Sequence, residues 1–378
     1  MSTEVLLNEF KEYSEHPYRV LSEYKKQGKK VIGMLPYYAP AELVVAAGMV
    51  PMGIWGSNKK TIAHAKEYCA TFYCTIAQLA LEMLLDGTLD QLDGLITPTI
   101  CDTLRPMSQN FRVAMEGKLP CIFLAHPQQR KPAFGLQFTM DQYQHIKTEL
   151  EKIAGKTITD DDLRAAIKVM NKNRAARRAF VQLANEHCGV ISAVKRSAVL
   201  RAAWFMEPAA YAEKLEALNA ELAKLPAADW KGKKIVTSGI ICDNPKLLQI
   251  FDDNKIAIAA DDVAQESRSF RVDASEEGDP MMALAQQFAD QDYDVLLYDE
   301  HSNQNRRGEF VVKLVKDSGA QGLVLFMQQF CDPEEMEYPY LKKALDDAGI
   351  PHIKLGVDQQ MRDFGQASTA IQAFADVL

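Results

Sequence analysis

The residues of this chain with the widest chemical reach are its seven cysteines: Cys69, Cys74, Cys101, Cys121, Cys188, Cys242 and Cys331. A thiolate can attack an electrophile, bind zinc, or hold an iron–sulfur cluster. A disulfide framework does not fit an odd count in a long chain without a secretion signal. Structural zinc is usually marked by C-x₂₋₄-C pairs, and a set of these is missing. A nucleophilic cysteine needs a base, and His126, at the end of its own predicted strand, is the one tempting partner. A cluster held by cysteines distant in sequence needs the fold to assemble them. Spacing by itself leaves these readings open. Most cysteines in any protein pack as small apolar side chains. Cys121, on a predicted core strand, reads that way, and Cys188 and Cys242 carry no functional pattern.

The elements that must position these residues alternate. In the first part, 29–38, 49–56, 92–100 and 120–126 read as strands. Between them 40–48, 71–87 and 103–117 read as helices, the first opened by proline and the second closed by glycine. From about 139 to 225 long 3.6-residue periods dominate. Alternation then resumes, with strands predicted at 233–241, 255–262, 292–299, 321–329 and 351–358 and helices including 281–291 and 334–349. This order predicts an α/β fold: two Rossmann/flavodoxin-like parallel-sheet lobes joined by a helical layer. The expected domains are 1–138 with Cys74 and Cys101, a helical segment 139–228, and 229–378 with Cys331. The basic patch Lys172, Arg174, Arg177 and Arg178 on the middle helices reads as a solvated face in preference to an anion site.

One feature recurs in both lobes. Cys101-Asp102 ends the strand of LDGLITPTICD, and Cys331-Asp332 ends that of QGLVLFMQQFCDP. Ligands of open α/β sheets gather beyond the carboxyl ends of strands. Each pair also precedes a helix, where Asp can cap the first turn and the helix dipole favours a thiolate.

Bulk properties narrow the function classes. The 378 residues allow two or three domains. A net charge of −8 argues against a nucleic-acid surface. No stretch of 18 apolar residues offers a membrane span. The polar, acidic start lacks a signal-peptide layout, so a cytoplasmic location is expected. Neither the P-loop pattern G-x₄-G-K-[ST] nor G-x-G-x-x-G occurs.

Along essentially its whole length the chain is similar to the β subunits of the 2-hydroxyacyl-CoA dehydratase family, related to the benzoyl-CoA reductases. The segments that carry the resemblance are GKKVIGMLPYYAPAELVVAAGMVPMGIWG, FYCTIAQ, GLITPTICDTLRPMSQN, ADDVAQESRSFR, FMQQFCDPEEMEYP and the late GVDQQ. Within the family the chain looks closest to subunits acting on (R)-2-hydroxyglutaryl-CoA in glutamate fermentation. The resemblance implies that Cys74, Cys101 and Cys331 ligate a [4Fe–4S] cluster whose fourth position is filled by a small non-protein ligand, leaving Cys69 aside. It implies a heterodimer with an α subunit, in which the substrate meets iron mainly in the α partner, and a separate ATP-dependent iron–sulfur activator protein. Some members also carry FMN. The implied reaction is the reversible radical removal of water from the 2-hydroxyacyl-CoA, here giving glutaconyl-CoA. The proton to be lost sits on the β carbon, which no carbonyl acidifies, and pKa tuning of a protein base cannot bridge that gap. An electron added to the thioester makes a ketyl that expels the neighbouring hydroxide and acidifies that proton. Alternatives within reach of the same resemblance are a lactyl- or phenyllactyl-CoA dehydratase, a benzoyl-CoA reductase-type subunit, or a pure electron-relay subunit.

Other polar residues have simpler readings. Asp102 and Asp332 read as helix caps. Arg105 fits a substrate or CoA anion and a surface salt bridge equally, and Arg268 and Arg271 are similarly ambiguous. Glu334, Glu335 and Glu337 suit the first turn of a helix, while Met52 and Trp55 read as core.

Overall fold

Short β-branched and apolar runs form the strands, and proline, Asp, Asn or Ser mark most helix starts. The computed structural model describes residues 2–35, 38–55, 61–297 and 306–378. Two helices come first, α1 (Thr3–Glu15) and α2 (Pro17–Lys26). Then β1 (Val31–Met34), α3 (Ala41–Ala46), β2 (Val50–Gly53), α4 (Thr75–Leu85), β3 (Gly94–Pro98), α5 (Leu104–Ala114) and β4 (Cys121–Leu124) alternate. Four helices follow in succession: α6 (Ala133–Ala154), α7 (Asp160–Glu186), α8 (Ala193–Ala202) and α9 (Pro208–Leu222). The second alternating region holds β5 (Lys233–Gly239), α10 (Pro245–Asp253), β6 (Ile256–Val263), α11 (Pro280–Ala289) and α12 (Arg306–Asp317). It ends with β7 (Gly322–Gln328), α13 (Asp332–Asp347), β8 (His352–Val357) and α14 (Gly365–Val377).

The strands form two parallel four-stranded sheets, ordered β2-β1-β3-β4 and β6-β5-β7-β8. The two orders are the same permutation. In each lobe the direction of winding reverses between the first and third strands, the place where such sheets open a crevice at their carboxyl ends. The fold class expected from the alternation is the one observed. β1, β2 and β3 are buried along their length, as parallel strands covered on both faces must be.

The intervening helices have local reasons to start. In α7, Thr159 accepts from the Asp162 N–H at 3.1 Å and the Asp162 carboxylate accepts from the Thr159 N–H at 2.9 Å, a closed capping box. α6 ends at Gly155 in the left-handed conformation. Leu6, Leu7 and Phe10 of α1 share a core with Phe180 of α7, Val199 of α8 and Tyr211 of α9.

One predicted strand is absent. Over 292–297 the chain turns instead of extending; residues 298 and 299 of that prediction lie outside the described residues, as do 36, 37 and 56 of two others. The reason is Asp294. Its carboxylate takes the Leu296 N–H at 2.9 Å and the Tyr38 hydroxyl at 2.6 Å, and faces Arg268 at 3.5 Å. A side chain that satisfies its own backbone two residues on favours a turn over a strand ladder.

Candidate functional site: a thiol cleft between the lobes

The three cysteines singled out by the sequence come from three elements. Cys74 is the N-cap of α4. Cys101 follows β3 and precedes α5. Cys331 follows β7 and is the N-cap of α13. β3 and β7 are the third strands of their lobes, so Cys101 and Cys331 hold equivalent places in the two sheets. All three cysteines are partly buried against the same apolar core, which includes Ile76, Leu104 and Met107. They are close enough that charge on Cys101 bears on Cys74, and charge on either bears on Cys331. All seven cysteines are free thiols.

Backbone N–H groups turn toward each of the three sulfurs. The Leu104 N–H donates to Cys101 Sγ at 3.4 Å. Ala77 and Ile76 N–H groups face Cys74, and the Glu334 N–H faces Cys331. These are the unpaired donors of helix first turns, which favour a negative sulfur. Burial works against them and is the larger effect. It pushes the Cys74 thiol up to about 12, and raises Cys101 and Cys331 as well. Without a cation the cleft therefore holds neutral thiols that become thiolates only when something positive binds. The backbone before Cys331 is itself unusual: Phe330 has φ +61°, a left-handed conformation that side chains other than glycine rarely adopt.

Two interactions absent from the sequence reading hold the cleft together. The first crosses between the lobes beside Cys74. Thr75 donates to Asp358 at 3.0 Å and accepts from the Gln359 N–H at 3.1 Å, while Gln328 Nε2 lies 3.3 Å from its hydroxyl. The second is a buried ion network at the end of β6. Asp262 meets Arg268 at 3.0 Å, Arg271 at 2.6 Å and Arg307 at 2.9 Å. Arg268 also reaches Glu334 at 3.1 Å, and Arg307 is paired with Glu337. Glu334 and Glu337 lie on the first turns of α13, directly after Cys331, so the network fixes the helix that carries this thiol. Burial would raise the Asp262 pKa, but the three guanidinium groups outweigh it and hold the carboxyl well below the usual range. The sequence did contain a signal: Asp261 and Asp262 interrupt an otherwise apolar strand, IAIAADDV, in which all eight residues are buried.

Asp102 and Asp332 do not cap their helices. The N-caps are Thr103 and Cys331, neither with a side-chain cap bond, and Asp332 is the first helical residue of α13. The sulfurs themselves face the first-turn donors, so the carboxylates are not needed there. Arg268 and Arg271 are structural ion-pair partners. Arg105 is exposed, makes no ion pair among the described residues, and lines a cavity of about 480 Å³ with Cys101 and His126. His126 stacks on Phe288 with ring centroids 4.3 Å apart, and its Nε2 lies 3.0 Å from the Tyr38 carbonyl. Burial pulls its pKa down to about 4. With Nε2 on the Tyr38 carbonyl, Nδ1 is buried without a partner, and among the described residues no hydrogen bond joins the ring to Cys101. Cys69 contacts Met107 Sδ at 3.4 Å. Cys121 lies half-buried on β4, Cys188 and Cys242 are buried, and Met52 and Trp55 are core.

Among the described residues no three His, Cys, Asp or Glu side chains converge on a point that one metal ion could occupy. That disfavours a mononuclear site. It leaves room for a polynuclear cluster, in which each cysteine binds a different iron and the sulfurs need not meet at one point. The donor set, three thiols with helix N–H groups turned toward them, suits such a cluster.

Two parallel-sheet lobes, each presenting a cysteine beyond its third strand, define an α/β protein in which Cys74, Cys101 and Cys331 come within electrostatic reach of one another. The family model for the D-component of 2-hydroxyglutaryl-CoA dehydratase matches residues 36–378, and the chain belongs to this family. It is 62% identical to (R)-2-hydroxyglutaryl-CoA dehydratase subunit beta of Acidaminococcus fermentans, over 100% of both chains. It is 40% identical to the (R)-phenyllactyl-CoA dehydratase beta subunit of Clostridium sporogenes, again over 100% of both. Identity to a benzoyl-CoA reductase subunit of Thauera aromatica is 27%, over 86% of this chain and 84% of that one.

Two outcomes test this geometry. Asp262→Asn keeps the shape and removes the charge, and is expected to cost about 3–5 kcal/mol of stability at pH 7, read from urea denaturation. Because the folded pKa of Asp262 is depressed, its contribution is present above the unfolded value of about 3.9 and fades below it, so wild type and variant should converge in acid. In the metal-free chain, iodoacetamide at pH 8 should label Cys74, Cys101 and Cys331 at least ~10-fold more slowly than in the urea-unfolded chain, as read by peptide mass spectrometry.

Proposed function

We propose that the chain is the β subunit of an (R)-2-hydroxyglutaryl-CoA dehydratase. The observation that carries this reading is the 62% identity to that subunit over the full length of both chains. The lower identity to the phenyllactyl-CoA enzyme favours the glutaryl substrate. The chain is thus a hydro-lyase subunit and works with a partner subunit, in this reading the α chain of a heterodimer. Cys74, Cys101 and Cys331 hold a [4Fe–4S] cluster, with one iron left to a non-protein ligand. When bound, that cluster would store or relay the single electron by which water leaves the 2-hydroxyacyl thioester, yielding glutaconyl-CoA, while the substrate itself meets iron mainly in the α partner.

The contribution of this chain is to bind and shield. Three thiols that burial keeps protonated lose their protons on loading, so assembly releases protons and weakens as pH falls. The helix N–H groups then face thiolates and stabilise them. The Thr75 bridge and the Asp262 network keep the three elements from separating. Arg105, exposed beside Cys101, offers a cation to the phosphates or distal carboxylate of an acyl-CoA. The P-loop pattern G-x₄-G-K-[ST] does not occur in the sequence, in keeping with a separate ATP-dependent iron–sulfur activator. Among the described residues no helix is long and apolar enough to cross a membrane, which fits a cytoplasmic enzyme.

Anaerobic iron and sulfide analysis tests the site. About four irons per chain are expected in the wild type and in Cys69→Ser, with loss in Cys74→Ser, Cys101→Ser and Cys331→Ser. Bound zinc, or a full cluster without Cys101, overturns the assignment. With the α partner and activator added, turnover of 2-hydroxyglutaryl-CoA is expected in preference to lactyl- and phenyllactyl-CoA. A complex inactive on 2-hydroxyglutaryl-CoA rejects the substrate.

A further inference from the structure

The basic patch on α7 lies only partly on a solvated face. Lys172 lies there, at 48% side-chain exposure and paired with Glu216. Arg174 and Arg177 are only 4% and 5% exposed. Their charges are not equally answered. Arg174 is held by Glu42 at 2.7 Å and Asp273 at 3.2 Å. Arg178 takes Asp273 at 2.6 Å and the Phe270 carbonyl at 2.7 Å. Three guanidinium groups thus share two carboxylates, and Arg177 has no ion pair among the described residues. Its only hydrogen bond there is from Nη1 to Ser269 Oγ at 3.1 Å, and its Nε is buried without a partner. The Phe270 ring, 4.9 Å away, gives partial compensation. Burial, with Arg174 and Arg178 alongside, pulls Arg177 down to about 10.

An unpaired buried cation is costly, by several kcal/mol even after relaxation. Arg177 lines a cavity of about 100 Å³ together with Glu42, Asn173, Arg174, Ser269, Trp204 and Phe288, the Glu42 carboxylate being taken by Arg174 at 2.7 Å. A water needs roughly 10–15 Å³ of such space, so there is room for several waters or one small ligand. Its charged lining is Arg174 and Arg177 with Glu42, whose charge Arg174 answers, so Arg177 is the cation left over; Trp204 and Phe288 add apolar surface. Asn173 adds a second unsatisfied group. Its Nδ2 donates to the Pro208 carbonyl at 3.0 Å, which fixes the amide orientation and leaves the buried Oδ1 without a partner. The cavity thus pairs an unanswered cation with an unanswered acceptor.

We infer that this cavity binds a small oxyanion that also carries a hydrogen-bond donor, namely hydrogen phosphate or a short hydroxycarboxylate, with the anion on Arg177 and the donor toward Asn173. A guanidinium fork suits either head group. The site lies outside the cysteine cleft and does not depend on iron, so its test is separate from that of the proposed function.

Calorimetric titration of the purified full-length chain with sodium phosphate, 2-hydroxyglutarate and glutarate, at ionic strength matched with sodium chloride, decides the matter. Saturable binding of phosphate or 2-hydroxyglutarate is expected, with glutarate at least tenfold weaker than its hydroxylated analogue if the hydroxycarboxylate is the ligand. Arg177→Met should remain folded, since it removes an unanswered buried charge, and should lose at least tenfold in affinity. Should Arg177→Met fail to fold, Arg177→Lys, which keeps the charge and loses the fork, must show the same loss. Failure of both phosphate and 2-hydroxyglutarate to bind, or unchanged affinity in the folded variant, overturns the inference.

Discussion

A single carboxylate with no exposed surface, Asp262, collects three arginines from two segments and through them reaches the start of α13. Such a group is tolerated inside a protein only when paired and hydrogen-bonded. Remove its charge and Arg268, Arg271 and Arg307 lose their shared partner. The helix they hold through Glu334 and Glu337 is the one that begins at Cys331. The helix that carries that thiol is therefore tied by ion pairs of the C-terminal lobe, while the cysteine itself packs against the apolar core of the N-terminal one. A sulfur carried on a strained turn after Phe330 needs this kind of fixed anchor.

The cleft sets two forces against each other. Helix first turns offer donors to the sulfurs, and burial raises the cost of charging them. In most proteins a reactive cysteine is exposed and electropositive; these three are sheltered, and their thiols are raised. That combination is poor for a free nucleophile and well suited to a ligand whose charge is neutralised by the metal it binds. In the proposed cluster site, the same shelter would limit access to the bound group, which matters for chemistry that runs through single electrons. Membership of the 2-hydroxyglutaryl-CoA dehydratase D-component family is consistent with this physical reading.

The arginines of α7 show the limit of reading charge by pattern. Lys172, Arg174, Arg177 and Arg178 look like one basic stripe in sequence. Helical geometry splits them: Lys172 points to solvent, while Arg174 and Arg177 enter the space between α7, α3 and the turn at Ser267–Phe270. The partners Glu42, Asp273 and Ser269 that distinguish the two buried residues are about 90 to 130 positions away in the chain.

Alternation of apolar runs and helical periods was enough to predict two α/β lobes with helices between them, because strand and helix periods are local properties of a chain. Sequence also singled out Cys101 and Cys331, each beyond the end of an apolar strand and followed by aspartate. Cys74 had no such mark and rested on resemblance. The turn at Asp294, read as a strand, had a local signal in the aspartate that takes the Leu296 N–H, but the partners that bury that carboxylate, Tyr38 and Arg268, are remote. Three things were decided only by the tertiary structure: that the two lobes place their third strands equivalently, that Thr75 bridges them, and that Asp262 anchors α13. Each depends on side chains from distant segments meeting in a buried space, where the cost of an unpaired charge or donor selects the partner. The cysteines from which the chemistry starts were thus legible one by one, while their assembly into a common cleft was not.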